Sequence, residues 1–281
     1  MQPTKRTLCI HDLSCVGRSS LSVVLPVLAS MGVQPCALPT ALLSTHTGGF
    51  GVPSIQNTEQ FVIDAISHYA VQDIRFDCIY TGYLSTAAQA ESILRVMDYN
   101  ESTLTVVDPV MGDNAKPYSF VTDALQQQIA ALCHHADIIT PNKTESALLL
   151  GQTPHPVPIG RMEAACRLRA LHEMYPNTAV VITGLDLKDG GHVNACMDKQ
   201  GVEYFTEYAP LPGYYPGAGD LFTSVLTGSL LQGDALQRAL HRATEFVAAA
   251  LANTPAGGSR EGIIFEPLLH LLTNKERKPI E

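Results

Sequence analysis

The residues Gly213-Tyr-Tyr-Pro-Gly-Ala-Gly-Asp220 run directly into the apolar, helix-periodic stretch Leu221–Leu231. A helix starts with N–H groups that have no internal partner and with the positive end of its dipole, so its first turn attracts anions. Gly217 and Gly219 let the backbone come close to a cluster of oxygens that a Cβ would hold off. Asp220 would repel an anion at that point. Its presence makes sense as a proton acceptor beside a phosphoryl group held by the N–H groups of Gly217, Ala218 and Gly219. The plainer alternative is an acidic helix cap after a turn.

Other polar clusters suggest compatible chemistry. Asp108-Pro-Val-Met-Gly-Asp113 puts two carboxylates on one turn, a pattern that suits Mg²⁺, which takes one or two carboxylates plus phosphate oxygens and water; Asp-Pro and Gly-Asp are also ordinary turn formers. In Thr140-Pro-Asn-Lys-Thr-Glu145, Asn142 or Thr144 can cap a helix with Glu145 in its first turn. Alternatively Glu145 faces a metal or its water shell and Asn142 faces nucleotide phosphates. Thr45-His-Thr-Gly-Gly49 offers His46 and Thr47 to a polar aromatic ligand or a lid, and Tyr83, after Thr81-Gly82, either stacks on a ring or packs in the core. His134-His135 lacks a spaced partner for a metal site. No GxxxxGK[ST] loop is present, which excludes the usual P-loop mode of nucleotide binding.

The elements that must carry these groups alternate. Strands are expected at Thr7–Ile10, Cys36–Leu43, Phe76–Tyr80, Leu104–Val107, Asp137–Thr140 and Ala179–Thr183, and a hairpin at Val193–Met197 with Val202–Tyr208. Helices are expected at Ser19–Met31 (strained by Pro26), Thr58–Tyr69, Thr86–Met97, Val121–Cys133, Lys143–Leu150, Met162–Met174, 219–232, 235–252 and 261–273. This alternation predicts an α/β fold with a mostly parallel sheet covered by helices on both faces. Ligands of such sheets bind outside the carboxyl ends of the strands. Asp12 and Ser14, Ser44–Gly51, Thr81–Tyr83, Asp108–Asp113, Thr140–Asn142 and Thr183-Gly184 each follow an expected strand, so all gather at that end.

Composition narrows the class. The chain has 281 residues, 46% of them hydrophobic, enough for a large core in one α/β domain spanning 1–281. A net charge of −9 argues against a nucleic-acid or membrane-surface binder. Seven cysteines, an odd number without a CxxC pair, fit a reducing compartment, and no run suits a signal peptide or a membrane span, so a cytoplasmic protein is expected.

Taken together and in order, Asp108-Pro-Val-Met-Gly-Asp113, Ala136-Asp-Ile-Ile-Thr-Pro-Asn142-x-x-Glu145, Val180-Val-Ile-Thr183 and Gly217-Ala-Gly-Asp220 resemble the ribokinase-like superfamily. Ser44-Thr-His46-Thr47-Gly and Thr81-Gly-Tyr83 resemble the pyridoxal/pyridoxamine kinases within it. The resemblance covers about residues 7 to 252. It implies an ATP-dependent kinase acting on the 5′-hydroxymethyl group of a vitamin B6 vitamer, with Asp220 as base and Gly217, Ala218 and Gly219 as anion hole. It further implies Mg²⁺ organised by Asp108, Asp113 and Glu145, a monovalent cation such as K⁺ nearby, and nucleotide contacts from Asp108, Thr140, Asn142, Glu145, Thr183, Gly184, Gly217 and Gly219. His46, Thr47 and Tyr83 correspond to ring-side contacts, and the family analogy gives a homodimer. In the first loop, His11-Asp-Leu-Ser-Cys-Val-Gly17, the family has a serine-histidine start, so either Asp12 or Ser14 takes the ring-contacting place. An Asp there would tilt preference toward a cationic amine. The contacts of Tyr214 and Tyr215 are left open. The nearest competitor is hydroxymethylpyrimidine kinase, which usually has a Cys where this chain has Asp220; a sugar or nucleoside kinase would need an early multistranded lid, and a non-catalytic binding module would have no need of the base.

Overall fold

The computed structural model describes residues 4–100, 103–209 and 213–273; the side chain of Tyr214 lies outside that description. The strands are β1 (Arg6–Ser14), β2 (Gln34–Leu43), β3 (Ile55–Asn57), β4 (Cys78–Thr81), β5 (Leu104–Val107), β6 (Gly112–Asp113), β7 (Lys116–Pro117), β8 (Ile138–Ile139), β9 (Ala179–Asp186), β10 (His192–Met197), β11 (Glu203–Tyr208), β12 (Gly213–Tyr214) and β13 (Gly257–Gly258). Nine of them form one sheet in the order β11-β10-β9-β8-β5-β4-β1-β2-β3. From β9 to β2 the pairing is parallel, while β3, β10 and β11 add antiparallel edges.

The helices are α1 (Leu21–Ser30), α2 (Glu59–Val71), α3 (Ala87–Tyr99), α4 (Asp123–His134), α5 (Lys143–Leu149), α6 (Arg161–Met174), α7 (Ala218–Leu231) and α8 (Leu236–Ala252). One face of the sheet is covered through Val62 and Ile66 of α2, Ile93 of α3, Ile129 of α4 and Leu168 of α6. The other is covered through Val23 and Val27 of α1, Val225 of α7 and Leu240 of α8. With both faces covered, central strands are buried along most of their length: all four residues of β4 and seven of the nine in β1.

Three boundaries differ from expectation in ways that bear on the site. β1 does not stop at Ile10 but continues to Ser14, because β2 pairs alongside as far as Leu43. The register of that pair shifts between His11 and Leu13, at Asp12. β9 likewise runs past Thr183 to Asp186, extended by its antiparallel partner β10. Asp12, Ser14, Thr183 and Gly184 are therefore strand residues rather than loop residues. α1 begins at Leu21, leaving Ser19 and Ser20 in the connection from β1. The expected last helix is a 3₁₀ segment at Glu266–Leu272.

Candidate active site

A cleft of about 530 Å³ opens at the carboxyl ends of the parallel strands, where the topology places ligands. Its lining includes Asp12, Ser14, His46, Thr47, Tyr83, Asp108, Asp113, Thr140, Asn142, Glu145, Thr183, Gly184, Gly217, Ala218, Gly219 and Asp220. Every site residue expected from the sequence thus borders one cavity.

The first turn of α7 joins its two halves. Gly217 occupies the N-cap with φ 82°, and a Cβ there would lie 2.0 Å from the Arg18 carbonyl oxygen. A Cβ on Gly219 would meet nothing within 4 Å, so its face is open to the cleft. Ala218 N–H donates to Tyr215 O at 3.3 Å and Leu221 N–H closes the first helical bond to Gly217 O. Among the described residues, the N–H groups of Gly217, Gly219 and Asp220 have no acceptor. Of the expected trio, the Gly217 and Gly219 N–H groups are free, Ala218 N–H is engaged by the turn, and the Asp220 N–H is free as well. On one side Asp220 Oδ2 accepts from Ser20 N–H at 2.8 Å; on the other Thr223 Oγ1 donates to Thr140 Oγ1 at 3.1 Å.

The Asp12 side forms one half of the cleft. Asp12 accepts from Ser14 Oγ at 3.0 Å and from the Ser20 hydroxyl. Burial pushes the Asp12 carboxyl up, and the two hydroxyls oppose this. Tyr83 meets Phe120 at 4.7 Å between ring centroids and Phe120 stacks on Tyr118 at 5.5 Å, forming an aromatic wall that the sequence reading missed. Its signal was the Tyr118-x-Phe120 pair in a chain only 6% aromatic. Burial, then the nearby Asp12, pushes the Tyr83 phenol up to about 12, so it stays a neutral donor. His46 differs from expectation. Its Nδ1 accepts from Gly48 N–H at 3.0 Å and its Nε2 pairs with Arg260 O at 2.8 Å. With both nitrogens committed, His46 ties its loop to the 257–262 segment and offers a ligand only its ring. Phe50, edge-on to His46 and beneath the Arg260 guanidinium, strengthens that tie.

The other half carries Thr140, Asn142, Thr183 and Gly184. An isolated bridge sets Asn142 beside Thr183, and Asn194 Oδ1 holds Gly184 N–H at 3.1 Å. The capping alternative at Asn142 is realised in full: its Oδ1 accepts from Thr144 and Glu145 N–H, and Glu145 returns the bond to Asn142 N–H at 2.8 Å. Asn142 Nδ2 donates to Gly112 O at 2.9 Å. The Asn142 side chain is thus occupied in holding α5 and the Gly112 turn, while the residue still borders the cleft.

The expected metal carboxylates are only partly free. Glu145 Oε1 accepts from Met111 N–H at 3.1 Å while Oε2 caps Asn142, so Glu145 braces the turn that carries Asp113. Asp113 accepts from Asn114, next to a tight turn in which Asn114 and Ala115 both have positive φ. Asp108 is 8% exposed, and its carboxylate has no hydrogen-bond donor among the described residues. Burial first, then Glu145 and Asp220, pushes Asp108 well above the usual carboxylate range. Burial pushes Glu145 to about 8 and Asp220 to about 7. The described residues hold no group of three or more His, Cys, Asp or Glu side chains placed to bind a metal together. Of the three expected carboxylates, Asp108 is unpartnered among the described residues, Asp113 accepts from Asn114 and Glu145 braces the turn between them and α5. That arrangement fits Mg²⁺, which keeps several waters and uses one or two carboxylates with phosphate oxygens. Among the described residues no Lys or Arg lines the cleft, against six carboxylates (Asp12, Asp108, Asp113, Glu145, Asp186 and Asp220). The nearby Lys143 ammonium is bound to Asp186 at 2.9 Å. A polyphosphate can enter this field only with cations.

The fold and this cleft define a ribokinase-like ATP-dependent kinase acting on a small hydroxyl-bearing metabolite. The chain belongs to the phosphomethylpyrimidine kinase family, whose pattern matches residues 25–264. Two solved structures are close in shape. One, from Bacteroides thetaiotaomicron and determined with pyridoxal, carries a provisional assignment as a phosphomethylpyrimidine kinase. It is 37% identical, with TM-score 0.89, over 96% of each chain. The other is pyridoxal kinase from Lactobacillus plantarum, 31% identical with TM-score 0.87 over 96% of this chain and 97% of that one. A pyridoxine/pyridoxal/pyridoxamine kinase of Bordetella avium is 30% identical over 87% of this chain and 84% of its own length.

Proposed function

We propose that the protein transfers the γ-phosphoryl group of ATP to the hydroxymethyl oxygen of a nitrogen heteroaromatic alcohol, accepting both B6 vitamers and hydroxymethylpyrimidine. The observation that carries this reading is the half-buried Asp220 carboxylate, beside unpartnered helix N–H groups and across from a pocket bounded by Asp12, Ser14 and the Tyr83–Phe120 wall. A flat ring fits against the wall, and polar edge groups fit Asp12, Ser14 and Thr47. The family match widens the vitamer-only expectation to pyrimidine alcohols, and the relative determined with pyridoxal keeps the vitamers in.

In this reading Asp220 takes the hydroxymethyl proton as the oxygen attacks phosphorus. The N–H groups of Gly219 and Asp220 hold the transferring phosphoryl, and Thr140, Thr183 and Gly184 border the nucleotide. Asp108 and Asp113, on the turn that Glu145 fixes, would hold Mg²⁺ with its water. Mg²⁺ supplies neutralisation of phosphate charge. A base at about pKa 7 is matched to neutral pH, so kcat/KM rises with pH up to about 7 and levels off above it.

Assaying pyridoxal, pyridoxine, pyridoxamine and hydroxymethylpyrimidine side by side with ATP, Mg²⁺ and K⁺ tests the substrate reading. Turnover of at least one vitamer and of the pyrimidine within about tenfold in kcat/KM is the expected result. Turnover of only one ring class would refute dual acceptance. We further propose a cytoplasmic homodimer. No helix among the described residues is long and apolar enough to cross a membrane. The edge strand β3 and its surroundings expose Val52, Ile55 and Phe61. Light scattering at micromolar concentration is expected to give the dimer mass; a monomer throughout would contradict it.

A further inference from the structure

We infer that Ser20 is a positioning residue for the base: it ties the ring-side carboxyl of Asp12 to Asp220 and leaves Asp220 Oδ1 as the oxygen that receives the substrate proton. This rests on the reading of Asp220 as base.

Ser20 breaks two local rules at once. It is the N-cap of α1, yet its side chain makes no capping bond, although Ser at this position ordinarily accepts from the first-turn N–H groups. Its backbone sits at φ 51°, ψ −131°, a region where glycine is at ease and a residue with a Cβ is strained. What holds it there is tertiary. Its hydroxyl donates to Asp12 Oδ1, and its N–H donates to Asp220 Oδ2 at 2.8 Å. Asp12 is held from the other side by Ser14 at 3.0 Å, and Ser20 itself is 8% exposed. A local preference overridden by contacts to two cleft carboxylates marks a residue kept for the site rather than for the helix.

The geometry then assigns the two oxygens of Asp220 different tasks. Oδ2 is occupied by Ser20 N–H, while Oδ1 has no donor among the described residues. On transfer, the hydroxymethyl O–H bond breaks and its proton passes to Oδ1. The freed oxygen pair forms the new bond to phosphorus, and the bond from phosphorus to the bridging oxygen breaks, releasing ADP. A carboxylate free to rotate would present Oδ1 in this direction only part of the time. The hydroxyl contact also links ring binding to the base, because a ligand pressing on Asp12 acts on Ser20.

Steady-state kinetics of Ser20→Ala, alone and with Asp220→Asn, tests this on whichever alcohol of the panel the parent enzyme turns over. Ser20→Ala is expected to lower kcat roughly tenfold to a hundredfold while KM for ATP changes less than about twofold. In the Asp220→Asn background it is expected to lower kcat no further, because its effect runs through Asp220. Ser20→Gly, at home at this φ, provides a second variant that folds; it loses the hydroxyl tie and is expected to lose kcat at least as far. Parental kcat in either Ser20 variant would overturn the inference. So would an equal fold loss in the parent and in the Asp220→Asn background, which is what a merely structural defect produces. Near-parental turnover of Asp220→Asn alone would instead sink the base reading beneath it.

Discussion

Replacing Asp220 by Asn is expected to cut turnover at least about 100-fold while leaving ATP binding intact, the magnitude expected for loss of a general base. The change is nearly isosteric, and the new amide oxygen can still accept the Ser20 N–H, so the first turn of α7 and its free donors keep their places. The same substitution is expected to stabilise the ligand-free protein. Burial raises Asp220 from an ordinary value near 3.8 to about 7, with Asp12 adding to the rise and the Ser20 N–H opposing it. The folded state therefore binds this proton more tightly than the unfolded chain, so stability is lost as pH rises from about 4 through 7. Asn carries no such charge. Asp220→Asn should match the parent near pH 4 and exceed it by at least ~1 kcal/mol at pH 8, read by thermal or denaturant melts. A variant both inactive and more stable is the signature of a carboxylate kept for chemistry at a cost in stability. Near-parental turnover would remove Asp220 from the mechanism.

Gly217→Ala is the second large effect. The residue caps α7 at φ 82°, and an added methyl would sit 2.0 Å from the Arg18 carbonyl oxygen, a backbone atom with little freedom to move. The Arg18 backbone is itself fixed by its N–H bond to Glu261 O at 2.7 Å and by the Arg18–Glu266 ion pair. The substitution must push the first turn of α7 away from Ser20 and Thr140. At least about 2 kcal/mol of stability should be lost, from positive-φ strain and the clash together. Turnover should fall about 100-fold, as for other displacements of reacting groups by roughly 1 Å. Gly219→Ala makes an informative comparison, since a Cβ there meets open space. Its fold should be nearly unaffected, and any loss should appear as weaker phosphate binding. Equal stability in the two variants would contradict the packing assigned to Gly217.

Much of this was legible in the chain because parallel α/β folds write their elements plainly. Buried runs such as Leu104–Val107 and Cys78–Thr81 sit between helical periods, and the polar clusters follow them. All expected site residues border one cleft because the topology rule for strand carboxyl ends is geometric, independent of side-chain detail. What stayed hidden depends on contacts between distant segments. Ser20 read as part of a helix start, and only its meeting with Asp220, 200 positions away, shows otherwise. His46 and Asn142 were correctly placed, but their polar atoms are engaged by Arg260, Gly112 and the α5 cap, bonds that no spacing rule reveals. β1 and β9 outran their expected ends because their neighbours, β2 and β10, supply pairing beyond the apolar core. The Tyr83–Phe120 wall likewise joins segments that no spacing rule brings together.

The most direct test of the central claim is to follow the fate of the γ-phosphate by ³¹P NMR, with the parent protein, ATP, Mg²⁺ and each alcohol of the panel in turn. A phosphomonoester on the hydroxymethyl oxygen, formed in equal amount with ADP, is the result this account predicts. Inorganic phosphate alone, or unchanged ATP with every alcohol, would contradict it.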